Sequence, residues 1–341
     1  MKKFLPNQVK EAAECLRRGK LVAFPTETVY GLGASALNPE AVKQVFAVKG
    51  RPSDNPLIVH VTGFNQVKDY TRLLHPLTET LVDAFWPGPL TIILPVKQGL
   101  LDAVVTGGLS TVAFRMPKNE LTLQLIQEVG EPLVGPSANL SGRPSPTTAE
   151  HVLHDFQTSI AGVLDGGATE IGVESTVIDL SNPNQPPMIL RPGAITQEML
   201  AAVCQTTILV DGHLVTADET PKAPGMKYKH YAPKVPVQIV QPDQWQAVAT
   251  TIATKKIRAG ILAGPTATEQ VRMYAAASYM YPTDSVEAAT KGLFSGLRAL
   301  DENQSELEVI FAASYPEQGL GIAYMNRLKK AANQTYFTNN R

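Results

Sequence analysis

The chain has 341 residues, 44% of them hydrophobic, and its length points to two domains with globular cores of their own. Its 30 basic and 31 acidic side chains leave a net charge of −1, which excludes the broad cationic field that holds nucleic acid non-specifically but permits a local anion site. There is no run of 18 uncharged apolar residues and no signal-peptide core in Met1-Lys2-Lys3-Phe4-Leu5-Pro6, so the expectation is a soluble cytoplasmic protein without membrane contact.

In chain order, the strand candidates of the first domain are 21–24, 57–59, 91–94, 111–114, 160–164, 176–178 and 188–190. Helical patterns lie between them near 8–18, 39–49, 75–84, 119–129 and 147–156, the last with a capping box from Thr147 and Glu150. Several connections are too short for a crossover helix, so the fold class is α/β with a twisted mixed sheet. The organisation changes after the first 210 residues. Residues 211–234 lack periodicity and carry Pro221, Pro224, Gly225 and Pro233, which reads as a linker or lid. A smaller α/β domain over 235–341 follows, with strands near 235–240, 260–263 and 307–311, helices near 244–256, 286–300 and 321–331, and Asp243 and Gln246 as caps of its first helix. Cys15 and Cys204 form no CxxC motif and are expected as buried thiols.

Candidate site residues cluster at strand and helix ends. Asn38 and Pro39 should start a helix that stops at Lys49, where Gly50 tolerates positive φ and Pro52 and Pro56 stiffen the turn Lys49-Gly50-Arg51-Pro52-Ser53-Asp54-Asn55-Pro56. Two cations held still in this way suit a polyanion, although they also suit the negative end of a helix dipole. Pro25-Thr26-Glu27-Thr28-Val29-Tyr30-Gly31-Leu32-Gly33 leaves the first strand through hydroxyls, a carboxylate and glycines, a composition that lets backbone approach a ligand. His60 ends a buried strand and is by itself as well read as a core-edge histidine. Alternation puts Thr111, Ala113 and Arg115 on one sheet face, and an arginine at a strand end suits a bidentate grip on a carboxylate. Ser137, Asn139, Ser175 and Arg191 add hydroxyl, amide and guanidinium groups at three further strand edges.

No HExxH, HxxxH, GxSxG or phosphate-loop spacing occurs. A site rich in Lys, Arg, Ser, Thr and Asn fits a phosphate-bearing substrate that brings its own reactivity, with catalysis by positioning and charge stabilisation. Glu27 or Asp54 could bind hydrated Mg²⁺ jointly with phosphates; the sequence leaves the metal ligands open.

The segments Pro25–Leu32, Lys49-Gly50-Arg51-Pro52, Pro136–Gly142 and Glu174–Val177, in this order, closely resemble the YrdC/Sua5 family, the L-threonylcarbamoyladenylate synthases. The resemblance covers roughly 6–205, and Lys227-Tyr228-Lys229-His230-Tyr231-Ala232-Pro233 with the domain after it resembles the two-domain Sua5 form, which ends in a Rossmann-like domain. It implies a nucleotidyltransferase that makes L-threonylcarbamoyl-AMP and pyrophosphate from L-threonine, bicarbonate and ATP, with Mg²⁺ accompanying the ATP, for N6-threonylcarbamoyladenosine in tRNA. It assigns Lys49 and Arg51 to catalysis on the phosphates, and Asn55, Thr111, Ser137, Asn139 and Arg191 to ATP with them. Thr28, His60, Arg115 and Ser175 fall to threonine, Arg115 on the carboxylate, while His230 and Tyr231 are implied as part of a lid over the nucleotide. Hand-over to a tRNA threonylcarbamoyl-transferase complex and a weak contact with tRNA are further implications. Two alternatives weigh less. A pure RNA-binding module would want a basic, aromatic stripe, and a hydrogenase-maturation carbamoyltransferase would need cysteine-rich zinc fingers that two cysteines cannot build.

Overall fold

The computed structural model describes residues 1–211, 221, 231–302 and 307–339. The chain divides into two compact units: Met1–Ser141 with Pro146–Glu170 and Glu174–Tyr228, and Lys229–Arg341 with Gly142–Ser145 and Ile171–Val173.

The first unit is built on an eleven-stranded mixed sheet. Its strands are β1 (Lys2–Phe4), β2 (Val22–Phe24), β3 (Gly31–Ser35), β4 (Ile58–His60), β5 (Leu90–Pro95), β6 (Thr111–Arg115), β7 (Leu133–Val134), β8 (Gly162–Leu164), β9 (Thr176–Asp179), β10 (Met188–Arg191) and β11 (Leu209–Val210). They lie in the order β1-β8-β2-β3-β7-β4-β6-β5-β9-β10-β11. Parallel pairs such as β4 with β6 and β5 with β9 alternate with antiparallel ones such as β6 with β5, as the short connections require. The seven strands expected from sequence are present; β1, β3, β7 and β11 are additional. These four are short or glycine-rich and form because a neighbouring strand offers partners, as Val134 does to Ala34.

Each strand of the sheet's centre separates two environments. Val59, Ile92, Leu94, Val112, Phe114 and Ile178 enter the main core, where the helices Pro39–Lys49, Thr78–Phe85, Ala149–Phe156 and Gln197–Cys204 contribute Val45, Leu81, Val152 and Leu200. Burying each such side chain contributes about 1.5–3 kcal/mol. On the opposite side, the helices Val9–Arg17 and Glu120–Val129 cover the β1 end through Leu16 and Leu125. The residues that point to that side from the next strands, Ile58, Ile93, Ala113, Val177 and Leu190, form a small cluster of their own that contains only strand residues. This helix-free patch is the floor on which the candidate site is assembled.

The helix over 39–49 has the bounds and ends read from the sequence: Asn38 accepts from the Ala41 amide at 3.1 Å, and Gly50 closes it at φ 60°. Two caps differ from expectation. The helix Ala149–Phe156 is capped by Thr148 and not by Thr147, because the chain turns helical one residue later and puts the Thr148 hydroxyl under the His151 amide. In the second unit Gln244, and neither Asp243 nor Gln246, stands at the start of the helix Trp245–Lys255. Both cysteines are free thiols. Cys204 is buried, which pushes its thiol up, whereas Cys15 is only half-buried.

The second unit is a four-stranded parallel sheet of β12 (Val237–Val240), β13 (Ala259–Ala263), β14 (Ala277–Met280) and β15 (Val309–Ala313), in the order β12-β15-β13-β14. Helices cover both faces, as expected. Ala259, Ile261 and Ala263 pack with Trp245, Val248 and Ile252. Gly260 and Leu262 face the other way, toward Leu300 and Gly296 of the helix Val286–Glu302, where side chains at either glycine would collide. No helix among the described residues is long and apolar enough to cross a membrane.

Candidate active site

Five strands of the first unit bring polar residues to the helix-free patch. His60 ends β4 and lies beside Arg115, the last residue of the parallel neighbour β6. The alternation read from sequence holds, since Ala113 lines the patch while Val112 and Phe114 enter the core, so Thr111 and Arg115 share the face with Ala113. Arg115 is buried, and its guanidinium is held on every side. Nη1 donates to Thr28 Oγ1 at 2.9 Å, Nε donates to the Gly88 carbonyl at 3.3 Å, and Nη2 lies 2.7 Å from Glu27 Oε2. The last approach is an ion pair without hydrogen-bond alignment, so both Glu27 oxygens are buried with no donor aimed at them.

Thr28 belongs to a hydroxyl relay. Thr26 Oγ1 donates to the Val29 carbonyl at 2.6 Å, accepts from the Thr28 and Val29 amides at 3.1 and 3.2 Å, and touches the Thr28 hydroxyl at 2.8 Å.

His60 is buried with its edge against Phe24, ring centroids 5.4 Å apart. Burial, reinforced by the neighbouring Arg115 charge, lowers its pKa from 6.5 to about 3, so the ring is neutral. Among the described residues its Nδ1 has no aligned hydrogen-bond partner, although the Ile58 and Leu133 backbone lies close enough to offset part of the shift.

A second group centres on the helix end at Lys49. The buried Lys49 Nζ donates to the carbonyls of Ser137 and Asn139, the latter at 2.6 Å, and the Ser141 amide returns a bond to the Lys49 carbonyl at 2.8 Å. Lys49, Ser137 and Asn139 are thus brought together. Arg51 and Asn55 meet as well: Arg51 Nη2 donates to the Asn55 and Pro56 carbonyls at 3.2 and 3.1 Å, and the fully buried Asn55 amide has neither nitrogen nor oxygen bonded.

Ser175 and Arg191 form a third group. Arg191 donates from Nε to the Ser175 carbonyl at 3.0 Å and from Nη2 to its hydroxyl at 3.1 Å, and that hydroxyl also touches Thr91 Oγ1 at 2.8 Å. Thr111 stands apart from these. It starts β6 opposite Pro95, four residues and about 13 Å of strand from Arg115. Tyr231 is buried in the second unit with its ring 5.1 Å from Phe294; His230 and most of 211–234 lie outside the described residues.

Sequence reasoning treated Glu27 only as a candidate metal ligand and passed over Thr26 and Thr91. Thr91 is hidden in an apolar strand, and its alternation with Ile93, which lines the patch, is the signal that marks it. Among the described residues no group of three acidic, histidine or cysteine side chains could hold a metal. The residues fit a cation that arrives with phosphates and water as its main ligands, whereas Glu27, a metal-ligand candidate in the sequence, is engaged by Arg115 at 2.7 Å.

The Sua5/YciO/YrdC family model, described as telomere recombination, matches residues 14–193. The chain belongs to the YrdC/Sua5 family. A second model, described as the C-terminal domain of threonylcarbamoyl-AMP synthase, matches 195–333, which accounts for the second unit of this family member. Among relatives, the threonylcarbamoyl-AMP synthase of Bacillus subtilis (strain 168) is 48% identical across 95% of this chain and 93% of its own. The one from Pyrococcus abyssi is 45% identical across 95% and 94%. The crystal structure of P. abyssi Sua5 complexed with L-threonine matches over 99% of both chains with a TM-score of 0.90 and 41% identity.

Proposed function

We propose that the protein is an L-threonylcarbamoyl-AMP synthase, a nucleotidyltransferase that joins L-threonine, bicarbonate and ATP and releases pyrophosphate. The observation that carries this reading is Arg115, a buried guanidinium fixed beside the Thr28 hydroxyl and the neutral His60 at adjoining strand ends. Such a group grips a carboxylate in a water-poor setting, where the interaction is strongest. The full-length similarity to a Sua5 structure complexed with L-threonine supports the same reading.

In the reaction, the threonine amine attacks the carbon of bicarbonate, and hydroxide leaves as water with a proton from the amine, giving a carbamate. A carbamate oxygen then attacks the α-phosphorus of ATP, and pyrophosphate leaves. Arg115, Thr28, His60 and Ser175 receive threonine, while Lys49, Arg51, Asn55, Ser137, Asn139, Arg191 and Thr111 receive the nucleotide. The bond between Arg191 and Ser175 joins the two sets. Lys49 acts largely through the loop it holds, since its ammonium is committed to the Ser137 and Asn139 carbonyls. Arg51 stabilises charge developing on the phosphates, a contribution of about 3–4 kcal/mol for one well-placed donor. Bound Mg²⁺ would neutralise phosphate charge, held mainly by the phosphates and water.

The product supplies the threonylcarbamoyl group for tRNA through a transferase complex, in the cytoplasm with at most weak tRNA contact. ATP/pyrophosphate exchange measured with and without threonine and bicarbonate tests the reading. Exchange that needs both supports it, and exchange indifferent to both overturns it.

A further inference from the structure

Glu27 is 3% exposed, and neither of its carboxylate oxygens has a hydrogen-bond donor in the fold. Its single partner is Arg115 Nη2, 2.7 Å from Oε2 but out of line with the N–H bonds. A buried carboxylate normally collects several donors, because the Coulomb attraction of one cation does not replace lost water hydrogen bonds. The donors missing here have no source among the described residues, so a ligand that brings donors would complete the position.

The neighbouring groups say what kind. Arg115 is a donor throughout. Thr28 Oγ1 accepts from Arg115 at 2.9 Å and touches the Thr26 hydroxyl at 2.8 Å. The floor therefore offers a positive fork flanked by a negative carboxylate. An α-amino acid presents the complement, a carboxylate and an ammonium group separated by a single carbon.

Resting on the threonine-using reading above, we propose that Glu27 is the acceptor for the amino group of the amino-acid substrate, paired with Arg115 as the acceptor's positive counterpart for the carboxylate. Glu27 thereby fixes the nitrogen that must reach bicarbonate, and it selects amino acids over hydroxy and simple carboxylic acids of the same shape.

The test compares L-threonine with 3-hydroxybutanoate, which keeps the carboxylate and the hydroxyl but lacks the amino group, in full-length wild-type protein and in Glu27→Gln. Expected in the variant are an at least tenfold rise in the threonine dissociation constant, unchanged ATP affinity, and a less than twofold change for 3-hydroxybutanoate competing with threonine. Equal weakening of both ligands would show that Glu27 serves only as a counterion to Arg115 and overturns the proposal. So does unchanged threonine binding.

Thermal unfolding and ATP binding establish that the variant folds. Should Glu27→Gln not fold, Glu27→Asp keeps the charge and shortens its reach, and it must discriminate against threonine more than against 3-hydroxybutanoate. A wild-type protein that binds no threonine brings down the threonine reading and this proposal with it. Normal wild-type turnover with an unchanged threonine KM in Glu27→Gln brings down this proposal alone.

Discussion

Gly135 makes room for the His60 ring: a Cβ at position 135 would lie 2.7 Å from both Cε1 and Nδ1 of that ring and 2.6 Å from Phe24 Cζ. The Gly135 amide is tied to the Ile58 carbonyl at 3.1 Å, so the backbone cannot step back. Gly135→Ala should therefore displace His60, destabilise the fold by roughly 1–3 kcal/mol as overpacking does, and raise the threonine KM more than the ATP KM. Thermal unfolding with separate substrate titrations checks this. Unchanged threonine use in a folded Gly135→Ala protein would place His60 outside the amino-acid site.

Lys49 joins the Pro39–Lys49 helix end to the Ser137–Asn139 loop, 90 residues away at Asn139. Removing a buried, bonded charge leaves the two carbonyls short of a donor, at roughly 1–3 kcal/mol for each group left unsatisfied. Lys49→Met should lower stability and weaken ATP use by at least tenfold, with a smaller effect on threonine affinity. Calorimetric titration of each substrate separates the two. Equal losses for both would mean that the loop serves the whole site and not the nucleotide half.

These cases show which parts of the molecule were legible in its sequence. The helix over 39–49 was readable to its ends because Asn38, Pro39 and Gly50 act locally. The face shared by Ala113 and Arg115 was readable because alternation is a property of the strand alone. By contrast, β3 and β7 depend on each other through Ala34 and Val134, and neither segment announces a strand by itself. The Arg115 bond to Thr28 spans 87 residues, and the ion pair to Glu27 beside it is invisible to any local pattern. Residue types told which groups would form the site; the fold decided which of them are already satisfied by one another.

Arg51 differs from Lys49 in being only half-buried, with Nη2 folded back on the Asn55 and Pro56 carbonyls. Arg51→Ala should weaken ATP use strongly by loosening the turn around Asn55 as well as by losing the charge. Arg51→Lys should recover only part of it, because a point charge does not reproduce the planar fork. Unchanged nucleotide affinity and turnover in both variants would exclude Arg51 from the site.

His60 also predicts a pH dependence. Its pKa falls from 6.5 to about 3 in the fold, so the unfolded chain takes up a proton that the folded chain refuses. Stability therefore drops as pH falls below 6.5 and goes on dropping toward 3, with a limiting slope of about 1.4 kcal/mol per pH unit for one proton. His60→Gln should unfold with a shallower dependence over that window, measured by denaturant titration at several pH values. Because the ring stays neutral, no limb of the wild-type activity profile above pH 5 should vanish in this variant; a lost limb there would contradict the neutral assignment.

Selection of the substrate side chain follows from what His60 and the strand floor leave open. The neutral His60 ring can pair with a hydroxyl, while the apolar face around Ala113 is of the kind against which a methyl group packs. Serine keeps the hydroxyl and lacks the methyl, which should lower kcat/KM by about 10–200-fold, the range for one methyl in a close-fitting pocket. Valine keeps the shape but leaves the buried polar groups unpaired, and a site built around a hydroxyl rejects such an analogue by roughly four orders of magnitude or more. The expected order is threonine, then serine, then valine, read from pyrophosphate release at saturating ATP and bicarbonate. Equal efficiency for the three would show that the side chain is not held by His60 and the strand floor.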